Sequence, residues 1–248
     1  MNKDGIQMST TLSGKTAIVT GASQGIGRAV ALAFAGEGIR TAILSRGRDA
    51  LERLAEDAKD LPGDLLPMPC DVSDRDQIKA AVAAATKALG RIDILVNNAG
   101  AFLEAPVTEI SADDWDYTLR VNTTAPFLFC KHVLPLMKDQ GGGRIINVGS
   151  TASSQGYLHQ SAYCASKHAL LGFSRCLSIE AKPHGVHVNT VCPGGVSTEF
   201  ITGTYLASRL EGQTMLEPDD VARMVLFLAQ QPDNVDIPDV VMRRCHRG

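Results

Sequence analysis

The sequence predicts an α/β fold: a doubly wound parallel sheet of about seven strands with helices on both faces. Three observations carry that expectation. Short β-branched runs alternate with longer helical patterns from Thr16 almost to the end, and strands separated by helices pair in parallel through crossovers. The strands are unbroken apolar runs, such as Ala17-Ile18-Val19 and Ile94-Leu95-Val96, as expected when both faces are covered. A glycine cluster, Gly21, Gly25 and Gly27, sits between the first such run and the first helical pattern.

In chain order, Thr16–Thr20 reads as a strand and Ile26–Glu37 as a helix stopped by Gly38. Thr41–Ser45 is the next strand and Asp49–Lys59 the next helix. Leu65–Cys70 reads as a strand, and Asp74–Leu89 as an alanine-rich helix closed by Gly90. Asp93–Asn97 is a buried strand, followed by one long helix over Ala112–Lys138 with Pro126 and Pro135 inside it. Arg144–Val148 (strand), Ala162–Lys182 (helix) and Val186–Val191 (strand) follow. Ser197–Leu216 reads as a loop or short helical flap, and Pro218–Gln230 as a helix with proline in its first turn. Val235–Met242 is the last strand; Pro238 interrupts it, which places it at an edge or a bulge.

Composition narrows the function classes. The 248-residue chain is 44% hydrophobic and 21% charged, with a net charge of −3. These are ordinary values for a globular protein, with no basic field to draw nucleic acid or an anionic membrane. No apolar run reaches the roughly 20 residues of a membrane span, and the N-terminus lacks the apolar core of a signal peptide. The six cysteines are scattered without Cys-x-x-Cys spacing, which fits reduced thiols in a cytoplasmic protein better than disulfides or zinc. The histidines form no ligand pair at metal-binding spacing, so no metal site is expected.

Thr20-Gly-Ala-Ser-Gln-Gly-Ile-Gly27 lies where an open α/β sheet binds ligands, beyond the carboxyl end of a strand. Glycines there permit close backbone approach, and the following helix presents free N–H groups to an anion. The second strand ends Leu44-Ser45-Arg46. A dinucleotide fold that prefers NAD(H) places an acid there for the ribose. Arg46 and Ser45 can instead bind a 2′-phosphate, which favours NADP(H) over NAD(H). Tyr163 and Lys167 stand one helical turn apart on one face. A cation beside a phenol favours the phenolate, so Lys167 is expected to lower the Tyr163 pKa toward neutrality.

These motifs, with Cys70-Asp71-Val72, Asn97-Asn-Ala-Gly100, Val121-Asn122, Ser150 and Pro193-Gly194, resemble the short-chain dehydrogenase/reductase family over Leu12–Arg243. The resemblance implies a single-domain Rossmann fold over residues 12–243, with a loose arm at 1–11 and a tail at 244–248. It implies that Tyr163 is the catalytic acid or base, that Lys167 tunes it and holds the nicotinamide ribose, and that Ser150 bonds the substrate oxygen. Asn122 would hold a water linking Lys167 to solvent; its other reading is a helix-bending polar residue. Gly21, Ser23, Gln24, Gly25, Ile26 and Gly27 would cradle the cofactor phosphates, with Ser45 and Arg46 at the 2′-phosphate. Asp71 and the Val72 amide would contact adenine, although Asp71 also fits a helix cap. Asn98, Ala99 and Gly100 would pass under the adenosine ribose. Pro193, Gly194, Val196 and Thr198 would face the nicotinamide.

The sequence departs from the family pattern in two places. Gln24 stands where NADP-preferring members often carry Arg or Lys. The ending Val235–Arg244 replaces a Gly-Gly turn, and in composition it is similar to a subgroup with hydroxy-acid and serine dehydrogenases. The resulting expectation is hydride transfer between NADP(H) and a ketone, 3-oxoacyl or hydroxy-acid type of substrate. The pocket would be formed by Ser150–Gln160, Phe102–Leu103 and the flap. Glu199 in the flap argues against a small anionic substrate. The alternatives are an epimerase or dehydratase on the same fold, or a non-catalytic NADP-binding regulator. Family members are commonly homotetramers or homodimers built through the two long helices, here Ala112–Lys138 and Ala162–Lys182.

Overall fold

A computed structural model describes residues 11–210 and 212–245, so the expectations for the 1–11 arm and the 244–248 tail fall mostly outside the described residues. Seven strands form one sheet in the order β3-β2-β1-β4-β5-β6-β7. They are β1 (Thr16–Thr20), β2 (Arg40–Ser45), β3 (Leu65–Pro69), β4 (Ile94–Asn97), β5 (Gly143–Val148), β6 (Val186–Pro193) and β7 (Asp239–Met242). Every neighbouring pair is parallel. The chain winds outward from β1 on one side and from β4 on the other, so a crevice opens between their carboxyl ends.

Alternation along the strands feeds two separate cores. Ala17, Val19, Ile43 and Val96 pack with Phe34 of α1 (Gly25–Gly36), Leu51 of α2 (Arg48–Asp57) and Val225 of α8 (Pro218–Ala229). Ile18, Leu44, Leu95 and Ile145 pack on the opposite face. Their partners are Ile78 of α3 (Arg75–Leu89), Phe129 of α5 (Ala125–Asp139) and Leu177 of α6 (Ser161–Ala181). Both faces of the sheet are therefore covered, as the unbroken apolar runs require. Among the described residues no helix is long and apolar enough to cross a membrane.

Two elements differ from expectation. The long helix divides into α4 (Ala112–Leu119), a π turn over Arg120–Thr124, and α5. Pro126 has no N–H to offer the Asn122 carbonyl four residues back, so one helical bond is lost and the turn widens there. The last strand is shorter than Val235–Met242: Pro238 stays outside β7, which pairs with β6 only from Thr190↔Asp239 to Pro193↔Met242. It is an edge strand, as the proline required.

The other edge, β3, carries Pro67 and Pro69. The Cys70 N–H points inward and donates to the Ser45 carbonyl at 2.8 Å. Alternation then turns the nitrogens of Pro67 and Pro69 outward, where no ladder bond is lost.

Candidate active site

A cavity of about 690 Å³ opens at the carboxyl ends of the central strands, from the turn after β1 to the flap before α8. Gly21, Ser23, Gln24, Gly25, Ile26, Ser45, Arg46, Asp71, Val72, Asn98, Ala99 and Gly100 line it toward one end. Ser150, Tyr163, Lys167, Pro193, Gly194, Val196 and Thr198 line the rest. Of the expected site residues, Gly27 and Asn122 do not line it.

The glycine turn is built for backbone contact. A Cβ on Gly21 would lie 2.8 Å from the Ala99 Cα, and one on Gly27 would lie 2.2 Å from the Gly21 carbonyl oxygen. Gly27 therefore lets helix α1 close onto the turn and has no surface in the cavity. Asn98 fastens the turn to β4: its side-chain amide donates to the carbonyls of Thr20 (2.9 Å) and Gly21 (3.1 Å). The amides of Asn98 and Ala99 both donate to the Thr20 hydroxyl at 3.0 Å. Helix α1 begins without a side-chain cap and has no acidic residue in its first turn, which suits an anionic ligand.

Ser45 at the end of β2 has a buried hydroxyl without a hydrogen-bond partner, next to the exposed Arg46. A buried hydroxyl left unpaired costs about 1–3 kcal/mol, which a phosphate oxygen would offset. The uncapped helix, the glycine cradle and the orphaned Ser45 hydroxyl together fit a phosphorylated dinucleotide. Asp71 is not the cap of α3; that is Asp74, which accepts from the amides of Asp76 (2.9 Å) and Gln77 (3.2 Å). Asp71 accepts from the amide and hydroxyl of Ser73 (2.9 and 2.8 Å), closing the turn after β3.

At the reactive end, α6 carries Tyr163 and Lys167 into the fold. They are 8% and 4% exposed, with the Lys167 Nζ 5.8 Å from the centre of the Tyr163 ring. Phe102 meets the Tyr163 ring edge-on at 5.0 Å, and Phe200 of the flap stands 6.3 Å from it. This enclosure reverses the expected electrostatics. Burial pushes the Tyr163 phenol up to about 12, against the opposing pull of the Ser150 hydroxyl. Burial also lowers the Lys167 ammonium to about 8. Lys167 donates to the Val148 carbonyl at 2.9 Å rather than to the phenol. The expectation that Lys167 lowers the Tyr163 pKa is thus not met, because desolvation outweighs a cation held beside the ring.

Asn122 is 1% exposed, and its side chain makes three hydrogen bonds. Its oxygen accepts from the Ala101 amide (2.7 Å), and its nitrogen donates to the Ala101 carbonyl (2.8 Å) and the Ser166 hydroxyl (3.0 Å). The Ser166 hydroxyl in turn donates to the Tyr163 carbonyl at 2.7 Å. The side chain therefore ties the loop after β4 to helix α6, with both N–H groups used and one lone pair of its oxygen still open. The main-chain carbonyl of Asn122 has no N–H to accept from at Pro126, four residues on.

The flap forms a short 3-10 turn at Glu199–Ile201 and helix α7 (Tyr205–Leu210). Glu104 holds it down by accepting from the Leu206 amide at 2.9 Å. Phe102 and the Ser150–Gln160 segment line the cavity as expected, but Leu103 does not. Sequence reasoning missed Tyr117, Val121, Arg243 and Arg244, which also line it. It also missed the Tyr157 hydroxyl, which donates to the Thr151 hydroxyl at 2.7 Å. A basic pair directly after the last strand was the available signal for the arginines.

Comparison with known proteins agrees with this architecture. A family described as short chain dehydrogenase matches residues 15–206. A D-threitol dehydrogenase of Mycolicibacterium smegmatis is 39% identical over 225 residues, 88% of this chain and 86% of that protein. A 3-oxoacyl-[acyl-carrier-protein] reductase of Thermotoga maritima is 36% identical, covering 88% of this chain and 91% of its own. Among solved structures, a metagenomic short-chain oxidoreductase in complex with NADP superposes with a TM-score of 0.84 at 33% identity, covering 96% of this chain and 100% of that one.

Proposed function

The chain belongs to the short chain dehydrogenase family, and from that premise we propose that it interconverts a carbonyl and a secondary alcohol with NADP(H). The substrate class is a ketone, 3-oxoacyl or hydroxy-acid type of molecule. The observation that carries the reading is Tyr163, set beside Ser150 and Lys167 on the wall of the cavity that begins at the glycine turn. Bound NADP(H) would supply or accept the hydride.

In this reading the backbone of Gly21–Ile26 and the start of α1 hold the pyrophosphate, with Gly27 permitting their closure. Ser45 and Arg46 take the 2′-phosphate; Asp71 and Val72 border the adenine; Asn98–Gly100 border the ribose. Pro193, Gly194, Val196 and Thr198 border the nicotinamide, and Lys167 holds its ribose. The Ser150 hydroxyl donates to the substrate oxygen and polarises the carbonyl. Tyr163 is kept in its acid form by burial and protonates that oxygen during reduction. In oxidation the same phenol must first lose its proton, so that direction is favoured by high pH. Lys167 and a water on the Asn122 carbonyl return the proton from solvent. The apolar flap excludes water from the site.

The same reading takes residues 12–243 as one cofactor-binding domain acting in the cytoplasm. Assembly into a dimer or tetramer would use the outer face of α4, α5 and α6, where Phe127 and Ile179 are exposed (43% and 76%).

The test is purified protein with NADPH and NADH against ketones, 3-oxoacyl esters and polyols, following cofactor absorbance. Net oxidation of NADPH by a carbonyl supports the reading. Cofactor binding without net redox turnover on any member of the panel sinks it and returns the epimerase or regulator alternatives.

A further inference from the structure

The reactive half of the cavity is bordered by three basic side chains: Lys167, and Arg243 and Arg244 just beyond β7. Lys167 is occupied by the Val148 carbonyl. We propose that Arg243 and Arg244 form a subsite for an anionic group on the substrate, a carboxylate or phosphate. They would then determine specificity in the reaction proposed above, on which this inference rests.

The backbone fixes their position. β7 pairs with β6 as far as Pro193↔Met242, and the Gly194 amide donates to the Met242 carbonyl at 2.8 Å. The next residue is thereby delivered to the cavity wall. A Cβ on Gly194 would lie 4.0 Å from the Arg243 Cα and 3.9 Å from the Thr151 Cγ2. Arg243 and Thr151, the residue after Ser150, therefore both border Gly194 on the cavity wall. Arg244 reaches across to the flap, where its Nη1 donates to the Gln213 Oε1 at 2.7 Å and contacts the Met215 Sδ at 3.5 Å.

The described residues offer neither guanidinium a counter-charge. Among the described residues neither forms an ion pair, although Arg175 and Lys182 nearby in the fold pair with Asp239 and Asp236. Among the described residues Asp71 is the sole carboxylate on the cavity wall, and it stands at the adenosine end. Glu104 accepts from the Leu206 amide and Glu199 is exposed; neither lines the cavity. Glu199 therefore does not weigh against an anionic substrate, and the flap does carry an arginine, Arg209 of α7, which stacks over the Tyr205 ring and does not line the cavity. Arginine presents a planar fork of donors that matches a carboxylate or phosphate. A substrate gripped by its ketone at Ser150 and Tyr163 and by its anion at Arg243 and Arg244 would be oriented at both ends.

The experiment compares acetoacetate and 4-oxopentanoate with their neutral ethyl esters, with NADPH at saturation. Parent, Arg243→Gln, Arg244→Gln, the double variant and Arg243→Lys are assayed at low and high salt. The acid-to-ester ratio of kcat/KM should exceed one for at least one pair in the parent. It should fall at least ~10-fold in the double variant, mainly through KM, the size expected for a lost charge-assisted bond. Arg243→Lys should recover part of the ratio, and added salt should erode the parent's preference. An unchanged ratio overturns the subsite, as does a weakened NADPH affinity that lowers acid and ester alike, which would make the arginines cofactor ligands. Calorimetric titration of acetoacetate separates this inference from the reading beneath it. If no carbonyl is turned over yet acetoacetate binds in an arginine-dependent way, the redox assignment fails and the subsite stands. If acetoacetate binding is absent, or indifferent to both substitutions, the subsite falls.

Discussion

The two ends of the cavity are built differently. The adenosine end is made of strand termini, locked by short-range geometry: Asn98 clamps the glycine turn, and a methyl group on Gly27 would collide with backbone. The flap end is assembled from segments distant in the chain. Glu104 caps Leu206, Phe102 and Phe200 close on Tyr163, and Arg244 meets Gln213. The base of this end is tied by the Ser197–Leu216 and Leu216–Gly195 backbone bonds, while side-chain contacts close it over Tyr163. The first end can be kept whatever the substrate, while the second can be rebuilt without disturbing the sheet.

Substitutions at each end should have separable effects. The largest is expected where the ends meet. Tyr163→Phe should fold and bind NADPH normally, yet lose ~10²–10⁴-fold in kcat, the usual worth of a positioned acid. Stopped-flow reduction and NADPH fluorescence check this; retained turnover would remove Tyr163 from the reaction.

Lys167 should show function set against stability. Its folded pKa, about 8, lies below the ordinary 10.5. Below pH 8 both folded and unfolded chains carry the proton, so the whole cost of burying the charge is present, about 3 kcal/mol by linkage. Between pH 8 and 10.5 the unfolded chain binds more protons, and stability from this group rises with pH. Lys167→Met should therefore abolish activity but gain about 1–3 kcal/mol in urea unfolding at pH 7, after allowing about 1 kcal/mol for the lost bond to Val148. The gain should shrink as pH approaches 10.5. A variant less stable than the parent at pH 7 would contradict this.

At the adenosine end, Ser45→Ala with Arg46→Gln should weaken NADPH binding by ~10–100-fold while leaving NADH nearly unchanged, as loss of charge-assisted bonds predicts. Equal weakening of both cofactors would show that these residues do not read the 2′-phosphate. The smallest change is expected in the flap. Glu104→Gln weakens one charge-assisted cap on Leu206 and should raise substrate KM a few-fold, with kcat and cofactor affinity nearly constant. A fall in NADPH affinity would show that the two ends are mechanically linked.

This contrast also explains what could be read in the sequence. The strands, the glycine turn and the Tyr163–Lys167 pair were legible because each depends on spacing over a few residues. The split at Arg120–Thr124 was not, although Pro126 was visible: proline predicts a disturbance, but its form depends on what Asn122 grips in the next layer. The direction of the Tyr163 shift was missed for a similar reason. Helical spacing puts a cation beside the phenol, but Phe102 and Phe200, far away in sequence, decide how much water remains. Residues 235–237 read as strand because they continue a β-like pattern, yet Pro238 keeps them off the sheet. Arg243 and Arg244 looked like a basic tail until β7 set its register on β6.

The outward-facing prolines of β3 have a further consequence. A parallel sheet left open at its margin offers amide hydrogens to any extended peptide that drifts alongside. At Pro67 and Pro69 that margin has carbonyls but no N–H to lend, so an incoming chain would find every second rung of the ladder missing. This border resists fibrillar recruitment even though its inner neighbours are among the most apolar segments of the molecule.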